Sequence, residues 1–138
     1  MILADTSGLL ALFDRNEPAY EAVRTVVEAE RDPLIVSPYV IAELDYLVAT
    51  RVGVDAELAV LRELASGAWE LPQLDARDLE RATEVIDRFA DQAIGLADAS
   101  IVVLAERYAT RRVLTLDHRH FEVLRRTRGG RFEIVPAR

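Results

Sequence analysis

The chain has 138 residues, 51% of them hydrophobic and 30% charged, so it is long and apolar enough to fold around a buried core as one domain, residues 1–138. It contains no cysteine, which excludes disulfides, thiol catalysis and cysteine-bound zinc. No apolar run approaches the roughly 18 residues of a membrane span, and no signal peptide precedes the first apolar stretch, so we expect a cytoplasmic protein with no membrane partner.

Charge is distributed unevenly along the chain. The net charge is −7, and all 17 basic residues are arginine. Residues 1–104 hold 20 acids and 8 arginines (−12), whereas residues 105–138 hold 4 acids and 9 arginines (+5). The basic end could face an anionic partner, and a solvated arginine-rich surface explains it equally well. The negative total argues against nonspecific coating of nucleic acid.

Predicted strands and helices alternate along the chain. Short apolar, β-branched stretches predict strands at 2–4, 33–37, 68–71, 112–116 and 131–135. Helical periodicity predicts helices at 7–13, 19–29, 38–52, 56–66, 76–90 and 95–108, with a turn and a short helix at 117–124. This alternation predicts an α/β/α sandwich, with a central, mostly parallel sheet and helices on both faces.

Three polar residues are expected to begin helices. Ser37 is a suitable N-cap because Pro38 then occupies the first helical position, and Gly53 ends the same helix. Asp55 and Asp75 are predicted to cap the two helices that follow.

Two acids directly follow predicted strands. Asp5 comes after the first strand and Asp117 after the strand that contains "RVLTL". Ligand sites in open parallel sheets form at the carboxyl ends of strands, where the strand order reverses. We therefore expect Asp5 and Asp117 to share one rim of the sheet.

Two further acids interrupt apolar helices. Glu43 has Val40 three positions before it and Leu47 four positions after it, and Asp98 has only apolar helical neighbours on its face. Buried carboxylates cost several kcal/mol unless they are paired or bound to metal. Asp45 lies on the same helix as Glu43 but projects about 200° away around it, so we rank it below Glu43.

A divalent cation explains four acids at one rim. An arginine could neutralise any one of them, and Asp98 could simply complement its helix dipole. Together, however, four carboxylates would repel one another without a cation. Ligands that are all oxygen favour Mg²⁺ or Mn²⁺ over zinc.

Four stretches of the chain resemble the acidic blocks of PIN-domain ribonucleases, and most closely those of the VapC toxins of bacterial toxin–antitoxin pairs. They are "ADTSGLLALF", "VSPYVIAELDYLV", "IGLADASIVVLA" and "VLTLDHRHF". The resemblance covers essentially the whole chain. It implies that Asp5, Glu43, Asp98 and Asp117 are the metal-binding and catalytic acids. It also implies that the hydroxyls of Ser7 and Thr115 support the site.

The chain differs from the family pattern at one position, and the roles of the residues around that position stay open. Many relatives carry a further acid three residues after the last acid, where this chain has His120. We expect His118 and His120 to be solvated turn residues rather than catalysts. Arg119 could be an RNA contact or a surface charge.

The resemblance implies a Mg²⁺-dependent endoribonuclease toxin, with Mn²⁺ able to substitute. Metal-activated water, held by the four carboxylates, would attack the phosphodiester of a structured RNA such as tRNA or ribosomal RNA. The products would be a 5′-phosphate and a 3′-hydroxyl. The protein is expected to be a homodimer that is inhibited by a cognate antitoxin. The antitoxin would lie on the first helices and insert a basic side chain into the acidic pocket; candidate contacts are Leu9, Leu10, Leu12 and Phe13.

Other functional classes fit less well. A phosphoacceptor receiver domain needs a lysine, which the chain lacks, and a haloacid-dehalogenase-type phosphatase needs a second aspartate where Ser7 stands. No glycine-rich phosphate loop is present. The alternative that remains is a noncatalytic RNA-binding or scaffold PIN domain, against which the four retained acids argue.

Overall fold

A parallel sheet forms the centre of the molecule in the computed structural model, which describes residues 1–137. Arg138, the last residue of the basic C-terminal stretch, lies outside the described residues. Three strands, β1 (Ile2–Ala4), β2 (Arg112–Leu114) and β3 (Glu133–Val135), pair in the order β1-β2-β3. Single parallel bridges continue the sheet beyond β1, from Leu3 to Ile35 and from Ile35 to Glu70. All five predicted strand segments therefore join one sheet, two of them by a single bridge.

Helices surround this sheet. They are α1 (Thr6–Phe13), α2 (Tyr20–Ala29), α3 (Pro38–Arg51), α4 (Val54–Leu64), α5 (Ala76–Arg88), α6 (Leu96–Arg107) and α7 (His118–Val123), and a 3₁₀ turn spans Ala90–Gln92. Successive residues of a strand point to opposite faces of the sheet. All three residues of β1 are buried, so both faces are covered, as the sequence predicts. No helix among residues 1–137 is long and apolar enough to cross a membrane.

Two of the three predicted helix caps are confirmed. The Ser37 hydroxyl accepts a hydrogen bond from the Tyr39 amide, and Asp75 forms a reciprocal capping box with Asp78. The prediction for Asp55 is wrong, because the cap of α4 is Gly53 and Asp55 lies in the first turn. At φ 132° Gly53 lets the chain reverse directly after α3, in a conformation that other residues rarely adopt.

The strand order reverses beside β1. The chain first builds outward from β1 through Ile35 and Glu70, and then returns to add β2 and β3 on the other side. The reversal therefore lies between β1 and β2, where open parallel sheets bind ligands. Asp5 follows β1 and Asp117 follows β2 closely, so both acids flank this position.

Most of the apolar surface of α1 packs against the protein core. Leu9 is completely buried, and Leu10, Leu12 and Phe13 are half-buried against the core. The expectation that an antitoxin contacts these side chains is therefore wrong for Leu9, and for the partly exposed Leu10, Leu12 and Phe13 it stays a prediction. Among the described residues, large apolar side chains are exposed instead where α3 meets α4, at Tyr46, Val52, Val54 and Leu58.

Candidate active site

A pocket of about 320 Å³ opens where β1 and β2 end. The four acids predicted from the sequence all line it, although they come from four separate parts of the chain. Ser7, Thr6, Arg51 and His120 also contribute to its wall. The fold thus brings together the acids that the sequence singles out: Asp5, Glu43, Asp98 and Asp117.

Asp5 is the most buried of these acids. Only 5% of the residue is exposed, and its amide donates to the Leu114 carbonyl, which ties the end of β1 to β2. Burial raises the pKa of Asp5, while hydrogen bonds from Thr115, the Thr6 amide and Ser7 act in the opposite direction. A buried carboxylate of this kind is stabilised by donors but lacks a countercharge.

Two hydroxyl groups orient the Asp5 carboxylate. Thr115 Oγ1 donates to Asp5 Oδ2 at 2.8 Å, and Ser7 Oγ donates to the same oxygen at 3.0 Å. In turn, Thr115 Oγ1 accepts from the Asp117 amide at 2.8 Å, and Ser7 Oγ accepts from the Leu116 amide at 2.9 Å. The hydroxyls therefore connect Asp5 to the segment that carries Asp117, which is the supporting role the resemblance implies.

A glycine in α1 allows this network to form. A Cβ atom on Gly8 would lie 2.8 Å from the Leu114 carbonyl carbon and closer still to its oxygen. Only a residue without a side chain lets α1 approach the end of β2 so closely. That approach places Ser7 beside Thr115, with the two hydroxyl oxygens 3.1 Å apart.

Asp98 lies in the first turn of α6 with 16% of its side chain exposed. Burial, reinforced by the negative charges of Asp5, Asp117 and Glu43 and opposed by His120, raises the pKa of Asp98 to about 7. Its helix is joined to α3 by a buried hydrogen bond of 2.7 Å between Ser37 and Ser100. Burial and charge repulsion inside the pocket together bring the titration of Asp98 close to neutral pH.

Asp117 caps α7 and binds His120 twice. One carboxylate oxygen accepts from the His120 amide at 3.0 Å, and the other lies 2.8 Å from the ring Nδ1. The same Nδ1 is 3.5 Å from Asp98 Oδ2, while the ring Nε2 lies 3.1 Å from the Gln92 carbonyl oxygen. The expectation that His120 is a solvated turn residue is therefore wrong, because its ring is held on both sides inside the site.

Glu43 lines the pocket but is exposed, so its predicted burial is wrong. The buried face of α3 consists of Val40, Leu44 and Val48, which follow one another at four-residue steps. Glu43 belongs to the adjacent row of the helix, and that row borders the pocket instead of the core. Asp45 lies outside the pocket and forms a carboxyl–carboxyl contact with Glu57 of α4, which raises the pKa of Glu57.

Two pocket residues were not anticipated from the sequence. Arg51 follows Glu43 and Leu47 at four-residue spacing on the same side of α3, and this spacing could have predicted its place in the pocket. Within residues 1–137 Arg51 forms no ion pair with the acids of the pocket. Thr6 has a buried hydroxyl without a hydrogen-bond partner among the described residues, and no pattern in the sequence indicates this.

A somewhat larger cavity, of about 380 Å³, lies beside α5 and α6. Arginine and glutamate side chains line it alternately with apolar residues, and none of the four acids contributes. Convergence of carboxylates, rather than size, therefore makes the pocket beside β1 the candidate functional site.

Comparison with known proteins identifies the family. The family model of the PIN domain matches residues 2–126. The chain is also 59% identical to Ribonuclease VapC26 of Mycobacterium tuberculosis over 135 residues, which is 98% of this chain and 100% of that protein.

Solved structures of low sequence identity share the fold. The sarcin–ricin loop cleaving toxin VapC20 of M. tuberculosis has a TM-score of 0.79 at 19% identity, covering 86% of this chain and 92% of its own. DNA-bound VapBC of Salmonella typhimurium has a TM-score of 0.69 at 21% identity, covering 96% of each chain. From the family match and the near full-length identity, the chain belongs to the PIN-domain family and, within it, to the VapC-type ribonucleases.

Proposed function

We propose that this ribonuclease is the toxin of a toxin–antitoxin pair and cleaves structured RNA, either tRNA or ribosomal RNA, with Mg²⁺ as its cofactor and Mn²⁺ as a possible substitute. The observation that carries the proposal is the convergence of four carboxylates on one pocket. No arginine pairs with any of the four among the described residues.

The donor set fits a divalent cation. Carboxylate oxygens are the ligands that Mg²⁺ and Mn²⁺ prefer. Burial, and then the negative charges of the neighbouring acids, raise the pKa of Asp98 to about 7, and a bound cation would stabilise the ionised form that both disfavour. Thr6 adds a buried hydroxyl that the protein itself leaves without a partner. Asp5, Glu43, Asp98 and Asp117 would hold the cation.

Several polar residues of the pocket have distinct roles in the proposed phosphodiester hydrolysis. When bound, the cation supplies positive charge at the phosphoryl oxygens and activates water for attack on phosphorus. Ser7 and Thr115 fix the orientation of the Asp5 carboxylate. Glu43 is the most exposed acid and lies at the open rim, where an RNA strand would enter. No residue has to form a covalent bond with the substrate.

Several observations support the choice of substrate and partner. One structural relative is described as a sarcin–ricin loop cleaving toxin, and that loop is a structured RNA. Another relative is a VapBC complex, which supports an antitoxin partner for this chain. Because such RNAs lie in the cytoplasm, we place the protein there, as a homodimer when active.

Expression in cells tests the toxin and its substrate together. Induction of the wild-type chain should halt growth, and sequencing of RNA 5′ ends should show new 5′-phosphate ends at one or a few sites in tRNA or ribosomal RNA. Co-expression of the short reading frame beside its gene should restore growth.

Paired variants of α3 serve as the control for this experiment. Glu43→Gln should abolish both growth arrest and cleavage, because it removes a carboxylate of the pocket. Asp45→Asn changes an acid two positions away but outside the pocket, and it should leave both intact. Harmless expression of the wild-type chain, with no new RNA ends, would overturn the proposed function.

A further inference from the structure

A backbone carbonyl fixes the orientation of the His120 ring. The 3₁₀ turn Ala90–Gln92 ends at Ala93 in a left-handed conformation (φ 52°) and presents the Gln92 carbonyl to the ring. That oxygen lies 3.1 Å from Nε2. Because a carbonyl oxygen can only accept, Nε2 must carry a hydrogen.

The second ring nitrogen of His120 faces two carboxylates. Nδ1 lies 2.8 Å from Asp117 Oδ2 and 3.5 Å from Asp98 Oδ2. Because carboxylate oxygens can only accept, Nδ1 donates a hydrogen to them when no metal is bound. One ligand atom from each of the three residues lies within 4.8 Å of the others. A cation placed among these three atoms would displace the hydrogen and receive the lone pair of Nδ1 in its place.

We propose that His120 Nδ1 is a ligand of the divalent cation, together with Asp98 and Asp117. This inference rests on the proposed function, which requires that a divalent cation binds in the pocket. The arrangement matches a general feature of metal sites, in which a ligating histidine donates its other ring N–H to a carbonyl or carboxylate. In this chain the Gln92 carbonyl oxygen accepts that hydrogen bond.

A nitrogen ligand changes which cation the site prefers. Mg²⁺ strongly favours oxygen ligands, whereas first-row transition metals accept imidazole readily. An aspartate at position 120 would leave the site with oxygen ligands alone. We therefore infer that this chain selects Mn²⁺ over Mg²⁺ more strongly than the same site would with an aspartate at position 120.

Binding of Mn²⁺ alone to the full chain, followed by electron paramagnetic resonance at one neutral pH, tests this assignment. Spin-echo modulation from a directly coordinated ¹⁴N nucleus should appear in the wild-type protein. His120→Ala should lose this signal and bind Mn²⁺ at least about tenfold more weakly. His120→Asp should lose the signal but retain Mn²⁺, and competition with Mg²⁺ should show an Mn²⁺-to-Mg²⁺ affinity ratio lowered about tenfold.

His118→Asn is the matched control, because His118 lies two residues away and its Nδ1 is 3.6 Å from Glu122 rather than beside the clustered acids. It should keep both the ¹⁴N signal and the affinity. Wild-type protein that binds Mn²⁺ without a ¹⁴N signal would overturn the role of His120, as would unchanged or tighter binding by His120→Ala. Failure of the wild-type protein to bind Mn²⁺ or Mg²⁺ at all would instead overturn the proposed function, on which this inference depends.

Discussion

At the scale of single residues, the pocket is a set of charges that the fold holds together at an energetic cost. The cost is clearest at Asp98, because burial and the nearby Asp5 carboxylate raise its pKa from 3.8 to about 7. In the unfolded chain the same acid ionises at its ordinary pKa. Between these two values the folded protein binds the additional proton, so stability falls as the pH rises.

Asp98→Asn should remove this penalty in metal-free protein. A shift of this size corresponds to at most about 4 kcal/mol once both states are ionised, and little of it remains near the unfolded pKa. Chemical unfolding in EDTA should therefore show a stability gain for the variant of a few kcal/mol at about pH 8, and of only about 1 kcal/mol at about pH 4.5. Asp45→Asn should give a smaller gain, because this carboxyl group contacts Glu57 rather than the clustered acids of the pocket. A gain that is equal at both pH values, or a loss at pH 8, would contradict the electrostatic account.

The acids differ in how far the sequence revealed their surroundings. Asp5 was singled out because it directly follows a strand, and Asp98 because its helical neighbours are apolar; both acids are largely buried in the structure. Glu43 was misjudged because residues at i−3 and i+4 lie near it on the helix without defining the buried face. The contacts of His120 could not be predicted, since one of them is to Gln92, 28 residues earlier in the chain.

At the scale of elements, α1 and β2 position the catalytic groups by their close approach. Gly8 makes that approach possible, and it brings Ser7 and Thr115 within 3.1 Å of one another. Asp5 is the residue that precedes α1, and Asp117 follows the end of β2 by three residues and caps α7. Spacing between α1 and β2 therefore determines whether the Asp5 carboxylate is held in place.

Gly8→Ala should push α1 away from the end of β2. We expect a loss of stability of about 1–3 kcal/mol, because the added Cβ meets backbone that cannot move aside cheaply. Thermal unfolding measures this loss, and RNA cleavage at saturating Mg²⁺ should fall with it because the Asp5 hydrogen bonds lengthen. Gly95→Ala is the control, since no atom lies within 4 Å of its added Cβ, and it should cost less. Equal stability losses for the two variants would contradict this role of Gly8.

The order of elements was largely predictable, whereas some boundaries were not. The alternation of strands and helices could be predicted because the spacing of apolar residues changes along the chain between that of a helix and that of a strand. The helix cap at Asp75 was also predicted correctly. Asp55 was misassigned as a cap because polar residues near a helix start resemble one another, while the turn depends on the positive φ of Gly53. The inward orientation of Leu9 follows from packing that no local pattern defines.

At the scale of the whole molecule, the negative charge of the chain and its anionic substrate have to be reconciled. The net charge is −7, and the acids of the pocket contribute to it. A bound divalent cation would offset two of the four carboxylate charges and present a positive centre to a phosphate oxygen. Arg51, which lines the pocket without an ion pair to any acid there, adds a second positive group at the same place. We therefore expect that the pocket accepts RNA only after a cation has bound.

Cleavage of a defined RNA by the purified chain, measured across a Mg²⁺ titration after treatment with EDTA, tests this central claim most directly. We predict no cleavage in EDTA, recovery on addition of Mg²⁺ or Mn²⁺, and a 5′-phosphate on the downstream product. Asp98→Asn should remain folded and show no recovery at any Mg²⁺ concentration, while Asp45→Asn should recover as the wild-type protein does. Cleavage that persists after complete removal of divalent cations, or full activity of folded Asp98→Asn, would contradict the account.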